Sequence, residues 1–200
     1  MTLYDIKPSF QNLLRPSVRF MYLRGITANQ VTIFAVMTSV ILGGILMLFP
    51  VSYLFILMPV FLFIRMALNA IDGMLAREFC QKSRTGAVLN ETGDVIADAA
   101  LYLSFAFQNG ISPWLVVLFV LLSWLTEFCG VVVQTLTAAR NYRGPMGKSD
   151  RALVMGALGG FIAFWPQYIS IANIVFGISC MLLVWTCINR CCSVTEDKNV

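Results

Sequence analysis

Long apolar segments alternate with short polar segments along the chain. Each apolar segment is close to the roughly 20 residues that a helix needs to cross a bilayer, and three tight links between them contain turn-forming residues. The segments are residues 29–50, 52–75, 87–108, 112–137, 151–168 and 170–190. The pattern predicts an all-α integral membrane protein with six transmembrane helices, in one domain over residues 1–192. A short polar tail, residues 193–200, is expected to be disordered.

A different pattern precedes the first apolar segment. Leu13, Leu14 and Val18 alternate with Arg15 and Arg19 at roughly helical spacing. Such a pattern suits a helix that lies on the membrane surface with its arginines toward the lipid headgroups. We therefore expect an amphipathic interfacial helix over residues 7–25. The alternative is a solvated helix that packs on the cytoplasmic face of the protein itself.

Charge is scarce and unevenly distributed. Charged residues make up 12% of the 200 residues, about half the share in a soluble domain. Thirteen of the 14 Lys and Arg residues fall on one side of the membrane if six spans alternate, and the exception is Arg65. The positive-inside rule then predicts a multi-pass protein with both termini in the cytoplasm. This topology accounts for the net charge of +4, so no nucleic-acid partner is expected.

Polar residues interrupt the second apolar segment near its end. On a helix, Asn69, Asp72, Gly73 and Ala76 fall within about 100° of one another. The two small residues leave this face nearly bare beside a carboxylate, which would let a bulky polar ligand approach closely. The alternative is that small residues simply allow tight helix packing.

A stripe of acids marks the third apolar segment. Asn90, Glu91, Asp94 and Asp98 also share a face within about 100°. Such acids repel one another unless a cation lies between them. Oxygen ligands suit Mg²⁺, Mn²⁺ or Ca²⁺, and the absence of His from the chain argues against zinc. Because consecutive spans run antiparallel, we expect this stripe to face Asp72 near the cytoplasmic surface.

A supporting polar layer is expected deeper in the membrane. Arg65 lies about 10 Å below Asp72 along a helix, at a depth similar to that of Asp98. We predict that these two residues pair, directly or through Glu127 of the fourth span. The alternative is a proton or ion pathway, which would need a polar exit on the far side.

A glycine-bearing basic run lies between the fourth and fifth spans. Its bases could hold the phosphate of an acceptor substrate, although basic residues are expected in cytoplasmic links in any case. The four candidates are Arg140, Arg143, Lys148 and Arg151.

The spacing of residues 69–94 resembles the signature of the CDP-alcohol phosphotransferase (CDP-alcohol phosphatidyltransferase) family. That signature reads DxxDGxxAR, eight further residues, then GxxxDxxxD. Here every interval is kept, with Asn in place of the first and third aspartates. The matching positions are Asn69, Asp72, Gly73, Ala76, Arg77, Gly86, Asn90 and Asp94. The six spans and the amphipathic helix also resemble this family over nearly the whole chain.

The resemblance implies an enzyme of phospholipid biosynthesis in a bacterial inner membrane, and a homodimer. It would transfer a phosphatidyl group from CDP-diacylglycerol to a small polar alcohol, or to a phosphorylated polyol if the basic run binds phosphate, and release CMP. Two alternatives stay open. One is transfer of a phospho-headgroup from a CDP-linked alcohol to diacylglycerol, and the other is a non-catalytic protein that binds lipid or nucleotide on the same scaffold.

The resemblance also implies roles for individual residues. In the family the four acids bind two divalent ions, and the last acid is the general base. Here Asp72, Asn69, Asn90 and Asp94 would hold one or two Mg²⁺ or Mn²⁺ ions, and Asp94 would also be the catalytic base. The CDP pocket would be lined by Asp72, Gly73, Ala76, Arg77 and Gly86. Since the two asparagines carry no charge, our hypothesis is that Glu91 and Asp98 restore part of the missing charge.

Overall fold

The computed structural model describes residues 3–137 and 143–196 of the chain. These residues form seven α-helices and three short 3-10 helices, with no strand among them. The all-α fold expected from the sequence is therefore confirmed for this part of the protein. The helices are α1 (Leu3–Leu23), α2 (Ala28–Leu48), α3 (Leu57–Glu78), α4 (Arg84–Leu103), α5 (Pro113–Thr137), α6 (Lys148–Phe164) and α7 (Ile171–Glu196).

Helices α2 to α7 correspond in order to the six apolar segments, with different ends. Residues Ser52–Ile56 form a 3-10 helix, so α3 begins later than expected. Helix α4 begins earlier, because the Ser83 hydroxyl accepts a hydrogen bond from the Gly86 amide at 2.9 Å and so caps its first turn. Asp150 likewise accepts from the Gly147 amide at 2.9 Å at the start of α6. A search for apolar runs misses these first turns, because they contain polar residues.

Four helical segments are long and apolar enough to cross a membrane. They are Ala28–Leu48, Ser52–Glu78, Pro113–Thr137 and Ile171–Cys192. Helix α6 has 17 residues, and α4 carries several charged side chains. The structure thus identifies a membrane protein with four candidate spans rather than the six expected. Helix α7 runs to Glu196, four residues into the expected disordered tail, whose last four residues lie outside the described part of the chain.

The first helix is present and packs on the bundle through one face. Val18 is fully buried in a small apolar cluster with residues of α2 and α3. Arg15 on the same helix forms an ion pair with Glu78 at the end of α3, with 3.1 Å between Nη2 and Oε1. Leu13 and Leu23 remain 74% and 82% exposed. The helix therefore covers part of the protein and also presents an apolar surface outward.

The main core is formed by residues of α2 to α7 and of two 3-10 helices, Ser52–Ile56 and Ser104–Phe107. Its aromatic rings pack edge to face with centroids 4.9–5.6 Å apart, the arrangement that aromatic quadrupoles favour. The rings are those of Phe55, Tyr102, Phe105, Phe119 and Phe176.

Helix α4 is held very close to α2. A Cβ on Gly43 would lie 2.2 Å from the carbonyl oxygen of Ala100, and one on Gly93 would lie 2.7 Å from Val36. The two glycines thus allow a backbone approach that any larger residue would prevent. This contact fixes the position of the helix that carries the acidic stripe.

Candidate functional site

Four polar residues lie on α3 and α4 toward the link that joins these helices, and we call them the acid–amide site: Asn69, Asp72, Asn90 and Asp94. Helices α3 and α4 run antiparallel and are joined by only five residues, 79–83. Their polar faces consequently meet at this end of the bundle. The amide nitrogen of Asn69 donates to Asp94 Oδ1 at 3.1 Å. The sequence predicts that the polar stripes of the two helices face each other, and they do so at Asn69 and Asp94.

Asp72 accepts a hydrogen bond from a residue of α2, Thr32. Its Oδ2 lies 2.8 Å from the hydroxyl of Thr32, and both residues are buried at 6% and 7% exposure. A hydrogen bond to a buried carboxylate offsets part of the cost of removing it from water. Sequence reasoning missed Thr32, because one threonine in an apolar helix gives no sign of the helix that it will face.

Asp94 receives three protein donors. Its Oδ1 accepts from Asn69 and also lies 3.2 Å from Arg65 Nη2. Its Oδ2 forms an ion pair with the ammonium group of Lys148, the first residue of α6. The side chain of Asp94 is 20% exposed and that of Lys148 is 33% exposed. This pair is accordingly the part of the site that solvent or a ligand can reach.

A buried ion layer lies beneath the acid–amide site. It consists of Arg65, Asp98, Glu127, Arg151 and Arg190, drawn from five helices. Arg65 pairs directly with Asp98, the partner expected from their common depth. Arg151 reaches Glu127 at 2.8 Å and the second oxygen of Asp98 at 3.4 Å. Buried charges require such partners, because an unpaired ion in the interior is very costly.

The remaining contacts of the ion layer come from α5 and α7. Arg151 Nη1 donates to the Thr126 hydroxyl at 3.1 Å, and Arg190 donates to the Thr126 carbonyl oxygen. Arg190 also lies 3.9 Å from Glu127. Arg190 and Thr126 were not among the expected site residues. Arg190 lies in α7 and is only 2% exposed.

The four bases of the basic run have different environments. Arg143 is exposed, Lys148 pairs with Asp94, and Arg151 belongs to the ion layer at 1% exposure. Arg140 lies outside the described residues. The structure therefore does not gather the described bases in one solvent-facing cluster.

The residues expected to line a CDP pocket differ in exposure: Asp72 is buried, Arg77 is exposed, and Gly73, Ala76 and Gly86 are partly buried. The guanidinium of Arg77 covers Gly73, where an added Cβ would lie 3.0 Å from Nη2. Ala76 is partly buried against the apolar cluster beneath α1. A Cβ on Gly86 would lie 2.6 Å from the side-chain oxygen of Asn29 at the start of α2. Gly86 thus permits α4 to begin beside α2.

The two acids proposed to restore charge lie at different depths. Asp98 is buried in the ion layer with both oxygens facing arginines. Glu91 is partly buried one turn before Asp94. Since Asp98 is already neutralised by two guanidinium groups, its charge serves the ion layer rather than the acid–amide site.

The donor atoms of the acid–amide site fit a hard divalent cation in kind. Two carboxylates and two side-chain amides offer oxygen ligands, the type that Mg²⁺ and Mn²⁺ prefer. Within residues 3–137 and 143–196, no three His, Cys, Asp or Glu side chains are grouped so as to hold a metal ion. Amide oxygens would therefore have to complete the ligand set.

Comparisons with known proteins agree on one family. A sequence model of the CDP-alcohol phosphatidyltransferase family matches residues 25–185. The chain is 53% identical over 194 residues to the Escherichia coli K12 inner membrane protein YnbA, covering 97% of this chain and 96% of that protein. It is 27% identical over 195 residues to the phosphatidylinositol phosphate synthase of Mycobacterium tuberculosis H37Rv, covering 92% of this chain and 86% of the synthase.

Solved structures of the mycobacterial synthase share the fold. The crystal structure in complex with manganese and citrate superimposes with a TM-score of 0.76 at 20% identity, covering 90% of this chain and 88% of that one. The structure with CDP-DAG bound gives a TM-score of 0.72 at 21% identity, covering 90% and 92% of the two chains.

Proposed function

We propose, from the premise that this chain belongs to the CDP-alcohol phosphatidyltransferase family, that it transfers a phosphatidyl group from CDP-diacylglycerol to a small polar alcohol and releases CMP. The family match spans residues 25–185 and so includes the whole acid–amide site. The observation that carries the proposal is the meeting of Asn69 and Asp94 across α3 and α4, beside the buried Asp72. This contact supports the proposal, because it joins two positions of the family signature across the two helices.

The proposed reaction assigns Asp94 to the acceptor alcohol. Its carboxylate is partly exposed and accepts the hydroxyl proton as the alcohol oxygen bonds to the phosphorus that carries diacylglycerol. The bond from that phosphorus to the CMP oxygen breaks, and CMP leaves with the electron pair. A Mg²⁺ or Mn²⁺ ion, when bound, neutralises the pyrophosphate and stabilises the charge that develops on CMP. Asp72, Asn69, Asn90 and Asp94 supply the oxygen ligands.

Substrate binding is proposed on either side of this centre. Gly73, Ala76, Arg77 and Gly86 border the cytidine and pyrophosphate, with the exposed guanidinium of Arg77 available to a phosphate. The acceptor approaches from the basic run, where Arg143 and Lys148 lie nearest to solvent among the described bases. Arg140 belongs to the same proposed pocket, and Arg151 lies behind it in the ion layer.

The membrane arrangement is part of the proposal. Helices α2 to α7 cross the bilayer in a single domain over residues 1–192, with both termini and the active site in the cytoplasm. Helix α1 lies at the interface, and the protein forms a homodimer in a bacterial inner membrane. The support is the distribution of basic residues and the inner-membrane designation of the Escherichia coli relative.

The test is release of CMP by the purified full-length protein. Labelled CDP-diacylglycerol is supplied in mixed micelles with paired acceptors, inositol and inositol phosphate, glycerol and glycerol phosphate. We expect CMP and a lipid product that depend on Mg²⁺ or Mn²⁺ and vanish with a chelator. Asp94→Asn is the matched inactive control. Product from CDP-linked alcohols and diacylglycerol would instead indicate headgroup transfer, and no CMP under any condition would indicate a non-catalytic binding protein.

A further inference from the structure

The contact between Lys148 and Asp94 bears on how many cations the acid–amide site can hold. We infer that the Lys148 ammonium group takes the place of one divalent ion at Asp94, so that this site binds a single divalent ion. The inference rests on the proposed function, because it concerns the metal that the phosphatidyl transfer uses.

The first support is the set of donors around Asp94. Lys148 Nζ pairs with one carboxylate oxygen. The other oxygen lies 3.1 Å from the Asn69 amide nitrogen and 3.2 Å from Arg65 Nη2. Oδ1 therefore faces two N–H donors, which take up its two lone pairs. Oδ2 faces only Lys148 and keeps one lone pair for a single ion.

The second support is the way in which Lys148 is positioned. It is the first residue of α6, and the Asp150 side chain caps that helix by accepting from the Gly147 amide. Arg151, in the same first turn, pairs with Asp98 of α4 and Glu127 of α5, so the helix start is held beside Asp94.

The third support is the balance of charge. The acid–amide site with Lys148 has one net negative charge, and the ion layer has one net positive charge, so the two regions together are neutral. A single divalent ion would add two positive charges, which match the two negative charges of a CDP-linked pyrophosphate. A second divalent ion would leave two positive charges uncompensated. Those are the two charges that aspartates at positions 69 and 90 would supply, and both positions are Asn.

A direct count of bound ions tests the inference without any substitution. Mn²⁺ alone is titrated into the full-length protein in detergent micelles, with free Mn²⁺ followed by electron paramagnetic resonance. We expect one ion per chain and no broadening from a second ion at about 4 Å. Two ions per chain would overturn the inference and leave the proposed function intact. No bound ion would also overturn the inference, whereas one ion without CMP release would overturn the function alone.

Substitutions then test the role of Lys148 itself. Asn69→Asp with Asn90→Asp should create a weak second site, because Lys148 still competes for Asp94. Adding Lys148→Met should tighten binding of the second Mn²⁺ by about tenfold or more, since it removes a positive charge next to the ion. Lys82→Met, at an exposed lysine between α3 and α4, is the matched control and should change nothing. Equal affinity for the second ion with and without Lys148 would show that the ammonium group does not occupy that position.

Discussion

The acid–amide site and the ion layer lie one helical turn apart on α4, with Asp94 in the first and Asp98 in the second. The side chain of Asp98 is 6% exposed, and its two oxygens face Arg65 and Arg151. The side chain of Asp94 is 20% exposed and faces the Asn69 amide, Arg65 and the partly exposed Lys148. Arginine keeps its charge and holds carboxylates through a rigid fork, whereas lysine is a compact charge on a flexible chain. Two aspartates four residues apart therefore have different surroundings: Asp98 is enclosed between two arginines, and Asp94 is open to solvent on the side of Lys148.

The largest effect on activity is expected from Asp94→Asn. The change keeps the shape of the side chain and removes the proton acceptor, so CMP release should fall by about 10²–10⁴-fold, the usual contribution of a general base. The apparent unfolding temperature in detergent should stay within a few degrees of that of the unmodified protein. Retained CMP release would show that Asp94 is not the base.

The converse change is Asp98→Asn, which should mainly affect stability. It leaves Arg65 and Arg151 without the charge that both of them contact, and removing one partner from a buried ion pair costs about 3–5 kcal/mol. For a chain of this size that loss corresponds to roughly 10 °C in unfolding temperature. Intrinsic fluorescence during heating measures it. If Asp98→Asn unfolded at the same temperature as Asp94→Asn, the expected difference between the ion layer and the acid–amide site would be wrong.

A smaller effect is expected from Thr32→Val. The substitution keeps the shape and removes the hydroxyl that lies 2.8 Å from Asp72 Oδ2, a hydrogen bond to a charged group worth about 1.5–3 kcal/mol. Because Asp72 is a proposed metal ligand, the affinity for Mn²⁺ should change together with the unfolding temperature. Thr38→Val on the same helix is the control, since its hydroxyl bonds only to the backbone of α2.

The smallest effect should come from Arg15→Gln. The pair that Arg15 forms with Glu78 joins α1 to α3 at 3.1 Å, with side chains 47% and 37% exposed. Exposed pairs of this kind contribute about 0–1 kcal/mol, so the unfolding temperature should barely move. A loss as large as that of Asp98→Asn would mean that the docking of α1 supports the whole fold.

The sequence predicts the helices and the site's spacing well because both depend on local periodicity. Apolar runs identify α2 to α7. The helical angles of Asn69 and Asp94 place the first on the polar face of α3 and the second on the polar face of α4. The depth of Arg65 and Asp98 follows from helical rise alone. Each of these inferences concerns one helix or two consecutive ones.

What the sequence does not predict depends on contacts between distant helices. Lys148 could be read as a phosphate ligand, but its pairing with Asp94 requires α6 to begin beside α4. Arg190 could be assigned to the polar end of α7, yet it is buried against Thr126 and Glu127 of α5. Thr32 meets Asp72 only because α2 packs against α3. Periodicity states which residues share a face of a helix, and it does not state which neighbour covers that face.

The short connection between α3 and α4 has a mechanical consequence. The five-residue link 79–83 ties these helices at one end of the acid–amide site, and the Arg65–Asp98 pair ties them at the other. Two ties limit how far α3 and α4 can separate between them, so the contact of Asn69 with Asp94 is held from both ends rather than from one. The deeper tie is itself held by α6, because Asp98 also faces Arg151.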